Sequence, residues 1–481
     1  MKSKKKFDLK ILFNSIVKKY PQNIALNFGN NEKYTFKDLD EISDKFLNIF
    51  SKLRIKPYEV IAIDSVKNFY SFALIISCIK NRNPYSFIEI SKYNHRLTKI
   101  LNILKPKKIF IFSNKKLKNS FLINEKKLSS IDTNLKDKKK TFNLLKKGTI
   151  AYIMFTSGST GDPKGVPISH DNLSFFIKWV REKFNFTNLS VISNLNPLHF
   201  DNSVFDIFGG LFNASTIVPF NKVELSYPIE LVNKFKKTKC ETWFSVPSLL
   251  NYILEIEKKT IFKNIDLKNL IFGGERFPIN AVRKIYTHLN KTNIYNVSGP
   301  TECTCMCSAK KINKNELFNS NNLSVGKINK YFNFMILDDT NKNSNEGELV
   351  LLGPAVAGSY FNNKEKNKKK FFKRKNQNGY YTGDLVKKLR KDEIKIIGRV
   401  DNQVKLMGYR IEIEEIENQI IEIFKIKECM IKIDSESKYP WQKLICFISD
   451  KDKKIKNTFF KKIKKKLPSY MIPKNLIVVK K

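Results

Sequence analysis

The chain has 481 residues, 42% of them hydrophobic, and a net charge of +44. That length exceeds one compact core, so two or three domains are expected, and the apolar fraction excludes disorder throughout. The charge invites polyanions, but its lysines are spread along the whole chain beside abundant Asn, Ile and Phe, while Arg, the usual reader of bases, is scarce; base composition of the coding sequence accounts for this bias, and no nucleic-acid partner is expected.

The start, MKSKKKFDLK, is basic but leads into no apolar signal core. Residues 10–55 read as two amphipathic helices around a short extended piece, with Tyr34 and Phe36 leading into the second at 37–53. Apolar runs at 60–64 and 108–112 read as strands, and 72–80 and 92–104 as helices. This alternation marks βαβ units and a largely parallel sheet. The run 72–79 is far too short to span a bilayer, so no stable membrane insertion is expected. A lysine-rich surface excursion at 113–147 ends at a β-branched and aromatic strand, 149–155. Residues 361–378 read as a second solvated loop. After an apolar strand at 394–397 we place a domain boundary at 399–402. Beyond it follow helix 414–424, strands 429–433 and 444–449, and helix 456–465. The pattern predicts an α/β fold: a large N-terminal domain, 1–400, with mostly parallel sheets flanked by helices, and a small α+β domain, 401–481. Seven scattered cysteines lack zinc-knuckle spacing and read as small buried residues in a reducing compartment, which predicts the cytoplasm.

Strand 149–155 runs straight into Thr156, Ser157, Gly158, Ser159, Thr160, Gly161 and, three residues on, Lys164. Hydroxyls and backbone N–H groups between glycines surround phosphate oxygens, and Lys164 adds a cation. The loop lacks the Walker Gly-Lys-Ser/Thr and, alone, is as readily a plain turn. The chain also carries the run from Asn296 through Ser298 to Thr301 and Glu302, the run Tyr380 to Asp384, and the run Gly398 to Glu412. In order and spacing these resemble the adenylate-forming superfamily, which unites amino-acid adenylation domains, acyl-CoA synthetases and luciferases. The likeness is strongest to stand-alone D-alanine-activating ligases and peptide-synthetase adenylation domains, and runs from about residue 10 to the end.

The resemblance implies ATP and Mg²⁺. Attack of a carboxylate on the α-phosphorus builds charge on equatorial oxygens, which fixed donors and a divalent cation must meet. Thr301 supplies a hydroxyl, Glu302 a carboxylate for Mg²⁺, and Lys164 a cation; these form the catalytic set. Asp384 accepts both ribose hydroxyls. By resemblance, Arg399 holds the ribose, and Gly273, Gly274 and Glu275 run along the adenine with Asn296. One departure stands out: Ser298 occupies the position where the family usually stacks an aromatic ring on the base.

The run His199, Phe200, Asp201 resembles the segment with which amino-acid-activating members bind the substrate α-ammonium. Asp201 falls on that position, and a buried ammonium needs a counter-ion. The alternative is a carboxylate capping the helix that follows. By resemblance, Asn202, Phe205, Ser245, Ile271, Gly273, Val297, Cys305 and Met306 shape a side-chain pocket for a small or medium residue. His199 either gates it or is a plain core histidine.

In this family the small domain swings about a hinge, which falls on Asp401, to admit a pantetheine thiol by a tunnel near Gly408. The implied partner is a phosphopantetheinylated acyl or peptidyl carrier protein, acidic as a class, whose encounter a cationic surface would speed. Pro468 to Pro473 matches the penultimate family motif. The Gly-Lys motif that follows in the family is not among the 481 residues, and Lys474, Lys480 and Lys481 do not sit in it. Slow adenylation is therefore expected of these residues alone, with exchange restored by a Gly-Lys tail. The reading is an amino acid–carrier protein ligase. An acyl-CoA or aryl-acid ligase, and a nucleotide-binding pseudoenzyme, stand as alternatives.

Overall fold

The computed structural model describes residues 8–90, 95–113, 117–123, 145–158, 162–257, 265–289, 291–319, 323–434, 442–449 and 454–479. Two mostly parallel sheets carry the larger part. One has eight strands in the order Ser308–Lys311, Asn293–Ser298, Asn269–Gly273, Thr242–Ser245, Val191–Asn194, Thr216–Pro219, Ile24–Gly29 and Glu32–Thr35, antiparallel only at its two edge pairs. The other has six, with Tyr85–Ile88 between Ile61–Asp64 and Ile150–Thr156. Helices such as Phe36–Lys52, Phe69–Asn81 and His170–Phe184 flank them. The α/β class with parallel sheets expected from the alternation is what the chain forms, and an antiparallel five-stranded sheet over 333–399 is added to it.

Two local readings need revision and one strand, Tyr85–Ile88, was not read. Residues 10–55 contain a two-stranded hairpin, Ile24–Gly29 with Glu32–Thr35, rather than one extended piece. Tyr85–Ile88 is buried at all four positions, so it shows no alternation to read. Residues 361–378 are not a plain loop: they hold helix Lys364–Lys370 and strand Phe371–Arg374. The Phe371 ring packs 5.0 Å from both Tyr360 and Tyr380, which anchors this lysine-rich stretch. Most of the 113–147 excursion lies outside the described residues.

From residue 404 onward the chain gathers its own apolar cluster, with Ile411, Ile416, Ile420, Phe459, Ile463 and Met471 at its centre. It comprises the hairpin Gln403–Leu406 and Tyr409–Glu412, helix Ile413–Phe424, and a three-stranded sheet of Cys429–Ile433, Leu444–Ser449 and Asn475–Val479. All cysteines are free, and six of the seven are buried. No helix of the described residues is long and apolar enough to cross a membrane.

Candidate active site

In open parallel sheets ligands lie beyond the carboxyl ends of the strands. Here Val191–Asn194, Asn269–Gly273 and Asn293–Ser298 deliver His199 to Asn202, Gly274 with Glu275, and Thr301 with Glu302 to one place. Lys67 pins the first of these ends, donating from Nζ to the carbonyls of Asn194, Leu195 and Phe220 at 2.7–3.1 Å. The second sheet adds Ile150–Thr156, which turns back as Lys164–Ser169 with Thr156 opposite Lys164. Gly158 permits that turn, because a Cβ there would lie 2.1 Å from the Asp162 carbonyl. Ser159, Thr160 and Gly161 lie outside the described residues. The Thr156 hydroxyl is enclosed and makes no hydrogen bond, a polar group left for a ligand.

Glu302 is fully buried on a short turn, Thr301–Cys303. Its carboxylate takes Arg410 Nη1 at 3.0 and 3.2 Å and the Tyr360 hydroxyl at 2.8 Å. Burial acts to raise this carboxyl, but the Arg410 guanidinium and the Tyr360 and Tyr380 hydroxyls outweigh it and hold it at about 2. Lys164 Nζ lies 3.0 Å from Glu412 Oε1. Among the described residues no group of three or more His, Cys, Asp or Glu could hold a metal ion by itself. A lone hard carboxylate suits Mg²⁺, which keeps waters and substrate phosphates as its other ligands.

Asp201 does not cap helix Asn202–Leu211: its side chain makes no cap bond. Instead it accepts a 2.5 Å hydrogen bond from Thr301 Oγ1. Loss of water around it pushes its carboxyl up, against the pull of Thr301. A cavity of about 60 Å³ opens beside this pair, lined also by Asn202, Val297, Cys305 and Met306. Phe205, Ser245, Ile271 and Gly273 stand behind that lining. Phe205 packs edge-on against Phe184 and Phe244, the Ser245 hydroxyl accepts from Trp243 at 2.8 Å, and Ile271 is central in, and Gly273 ends, the fully buried strand Asn269–Gly273.

A larger cleft of about 650 Å³ holds Gly274, Glu275, Asn296, Ser298, Asp384 and Arg399. Arg399 bonds Asp384 at 2.7 Å and is gripped by both oxygens of Asp401 at 2.8 Å. Asp401, where the resemblance puts the hinge, thus orients Arg399. Phe277 is the aromatic residue among those that line the cleft, and its ring packs 5.0 Å from Phe272.

The 403–409 hairpin turn closes over the site. Gly408 N donates to Glu275 Oε2 at 2.9 Å. Two further cavities run from Asp201, Thr301 and Gly408 past His199 and Tyr409 to Glu89 and Pro468. His199 shares a 2.8 Å hydrogen bond with Ser65. Gly408 has φ +78°, and a Cβ would lie 2.5 Å from Val246 Cγ1. Gly408→Ala should therefore loosen the turn, with proteolysis in the 399–402 link faster by roughly tenfold; an unchanged cleavage rate would mean the turn packs without needing glycine. Lys474 immediately precedes the last strand, its backbone N–H donating to Leu444 O at 2.8 Å, and Lys480 and Lys481 lie outside the described residues.

The sequence reading missed Arg410, Glu412, Glu415 and Tyr360. The first two lie inside a motif it quoted, but their partners are far away in the chain.

A family model described as AMP-binding enzyme matches residues 13–361. Bacitracin synthase 1 of Bacillus licheniformis is 30% identical over 470 residues, covering 96% of this chain and 9% of that protein. A D-alanine--D-alanyl carrier protein ligase of Lacticaseibacillus casei (strain BL23) is 26% identical over 486 residues, covering 96% of this chain and 93% of its own length. Among solved structures, IdnL1 superposes with a TM-score of 0.85 at 19% identity, covering 98% of both chains. The Vibrio cholerae adenylation domain AlmE, in complex with glycyl-adenosine-5'-phosphate, gives 0.84 at 18% identity, covering 98% of this chain and 94% of that one.

Proposed function

Because this chain belongs to the AMP-binding enzyme family, we propose that it spends ATP to join an amino-acid carboxylate to AMP and then passes the aminoacyl group to the phosphopantetheine thiol of a carrier protein. The observation that carries this reading is the 2.5 Å contact between Asp201 and Thr301. In this reading Asp201 is the counter-ion for an α-ammonium and Thr301 the hydroxyl for the α-phosphate, and their contact supports the two roles lying side by side. An amino acid held by its ammonium on Asp201 then presents its carboxylate to the phosphorus. Relatives named as D-alanine--D-alanyl carrier protein ligases support the substrate class and the partner. An acyl-CoA or aryl-acid ligase would leave the Asp201 charge facing an apolar substrate, which is costly.

In this reading the nucleoside occupies the large cleft, with Asp384 on the ribose hydroxyls and Arg399 held beside them by Asp401. The triphosphate runs toward Thr301 and the 156–165 loop, where Lys164 meets its charge. Mg²⁺, when bound to Glu302, offsets negative charge on the phosphates. The substrate carboxylate oxygen forms a bond to the α-phosphorus as the bond to pyrophosphate breaks. In the second step the thiol sulfur, reaching the site along the passage beside Gly408, attacks the acyl carbon, its proton is lost and AMP leaves. We assign residues 1–400 to the nucleotide and substrate core and 401–481 to a small lid turning about Asp401, with the reaction in the cytoplasm.

Exchange of labelled pyrophosphate into ATP across a panel of D- and L-amino acids, with and without an appended Gly-Lys tail, is the direct test. Exchange with a small amino acid is expected. Stimulation only by acids lacking an amino group would overturn the reading. For the nucleotide half, Asp384→Ala should weaken ATP binding by about 1.5–3 kcal/mol for each hydrogen bond lost. Asp401 keeps Arg399 in place in that variant, so unchanged affinity by calorimetry would remove Asp384 from the site.

A further inference from the structure

Residues 65–68 form the turn between strand Ile61–Asp64 of the six-stranded sheet and helix Phe69–Asn81. The turn is fixed from its own side. Ser65 N donates to Ile88 O at 2.8 Å, and Asn68 caps the helix by accepting from Ser71 N at 2.9 Å. Its side chains reach across to the eight-stranded sheet. The Ser65 hydroxyl shares a 2.8 Å hydrogen bond with His199 Nδ1. Lys67 Nζ donates to Asn194 O, Leu195 O and Phe220 O at 2.7, 3.1 and 2.8 Å. These carbonyls stand at the carboxyl ends of Val191–Asn194 and Thr216–Pro219, neighbouring parallel strands in which Asn194 faces Pro219. Three acceptors engage every N–H of an ammonium, and the charge strengthens each bond.

A second set of buried groups carries this grip to Asp201. Asn194 Nδ2 and Asn196 Nδ2 both donate to Asp206 Oδ2, at 2.9 and 3.2 Å. Asp206 is fully buried on helix Asn202–Leu211. Asp201 opens that helix, its carbonyl accepting from Val204 N at 2.9 Å. Loss of water pulls the Lys67 ammonium down from its ordinary value, and Asp206 acts against this; Lys234 adds to the fall and Glu224 opposes it. Lys234 and Glu224 pair with each other at 2.9 Å, so Asp206 supplies the charge that answers Lys67. A buried carboxylate stripped of its cation is costly, and each of the two therefore depends on the other.

We propose that Lys67 is a positioning residue for the amino-acid half of the site: it sets the end of strand Val191–Asn194 and, through Asp206, the seat of Asp201 beside Thr301. The inference rests on the reading in which Asp201 takes the α-ammonium. Among the described residues, 194–206 give Phe200, Asp201 and Asn202 to the lining of the small cavity and none to that of the large cleft. Amino-acid binding therefore depends on Lys67, and nucleotide binding does not.

The test measures the two substrates separately on the full chain. Calorimetry gives the dissociation constant of ATP with Mg²⁺. Pyrophosphate exchange gives the half-saturating concentration of glycine, D-alanine or L-alanine, in whichever form, with or without the Gly-Lys tail, supports exchange. Lys67→Met keeps the length of the side chain and removes its charge and donors. It should raise the amino-acid half-saturation by roughly tenfold or more and leave the ATP constant within about twofold, because a small displacement of a binding group is costly only where it acts. If Lys67→Met does not fold, Lys67→Gln, which keeps two N–H donors, should show the same split at about threefold or more. Equal weakening of both substrates would show Lys67 to be merely structural, and an unchanged amino-acid half-saturation would equally overturn the inference. Asp206→Asn reads the relay. It should give the same split, and combined with the Lys67 variant the two losses should fall well short of their product, because each removes the other's partner. Losses that multiply would mean that Lys67 acts without Asp206 and would refute the relay. Absence of exchange by the parent with all three amino acids in both forms removes the reading beneath the inference, and the inference with it.

Discussion

Asp201→Ala should lower amino-acid activation by roughly 10²–10³-fold while ATP still binds, because an ammonium deprived of its counter-ion in an enclosed site loses about 3–5 kcal/mol. Among the described residues the side-chain hydrogen bond that ties this carboxylate to the nucleotide half is the one from Thr301, whose hydroxyl lies 2.5 Å from it. Asp201→Asn keeps that hydrogen bond and the volume of the side chain but removes the charge. Equal loss in both variants therefore assigns the effect to the charge. Recovery in Asp201→Asn assigns it to the orientation of Thr301. If Asp201→Ala activates amino acids as well as the parent does, the ammonium is held elsewhere and the proposed substrate site is wrong.

What could be read in advance was what lies contiguous in the chain. The loop ending at Lys164, the run to Glu302 and the run to Asp384 each announce a phosphate, a metal or a ribose by residue type alone, and they come from three different sheets: Lys164 opens a strand of the six-stranded sheet, Glu302 follows a strand of the eight-stranded one, and Asp384 lies within a strand of the five-stranded one. Partnerships across the chain could not be read. Arg410 and Glu302 are 108 positions apart, and Lys164 and Glu412 are 248 apart. Nothing in either local sequence marks one as the other's counter-charge. Glu275 shows the same limit from another side. Its motif suggested close backbone approach, yet its carboxylate bridges Ser248 N and Gly408 N at 2.6 and 2.9 Å. The pocket set divided along burial. Asn202, Val297, Cys305 and Met306 reach the small cavity, whereas Phe205 joins an aromatic cluster with Phe184 at the end of one helix, Phe186 in the loop after it and Phe244 on a strand. Residues 361–378 misled for a related reason. Lysine-rich composition signals solvent, but Phe371 finds Tyr360 and Tyr380, and two buried rings outweigh the tendency of the flanking lysines to stay in a coil.

Glu302→Gln should cost both activity and stability, and the two losses should separate by pH and by magnesium. The amide supplies neither a charged ligand for the cation nor a partner for Arg410. Pyrophosphate exchange should fall by roughly 10²–10³-fold at saturating Mg²⁺, the scale on which charge-stabilising groups act in a dry site. The same change leaves the Arg410 guanidinium enclosed without its carboxylate, which should lower unfolding free energy by about 3–5 kcal/mol at pH 7. The pH dependence follows from the direction of the shift. Folding holds the Glu302 carboxyl at about 2, below its ordinary value of 4.5, with burial opposing and Arg410, Tyr360 and Tyr380 prevailing. A carboxyl depressed on folding contributes stability that is whole above its unfolded value and drains away as pH falls toward the folded one. Parent and Glu302→Gln should thus differ fully at pH 7 and by about 1–2 kcal/mol less at pH 3.5, where the unfolded chain has taken up the proton and the folded one has not. Urea unfolding of both proteins at the two pH values measures this gap. A gap that stays constant would mean that Arg410 does not hold Glu302 ionised, and the pairing of the two would lose its electrostatic basis.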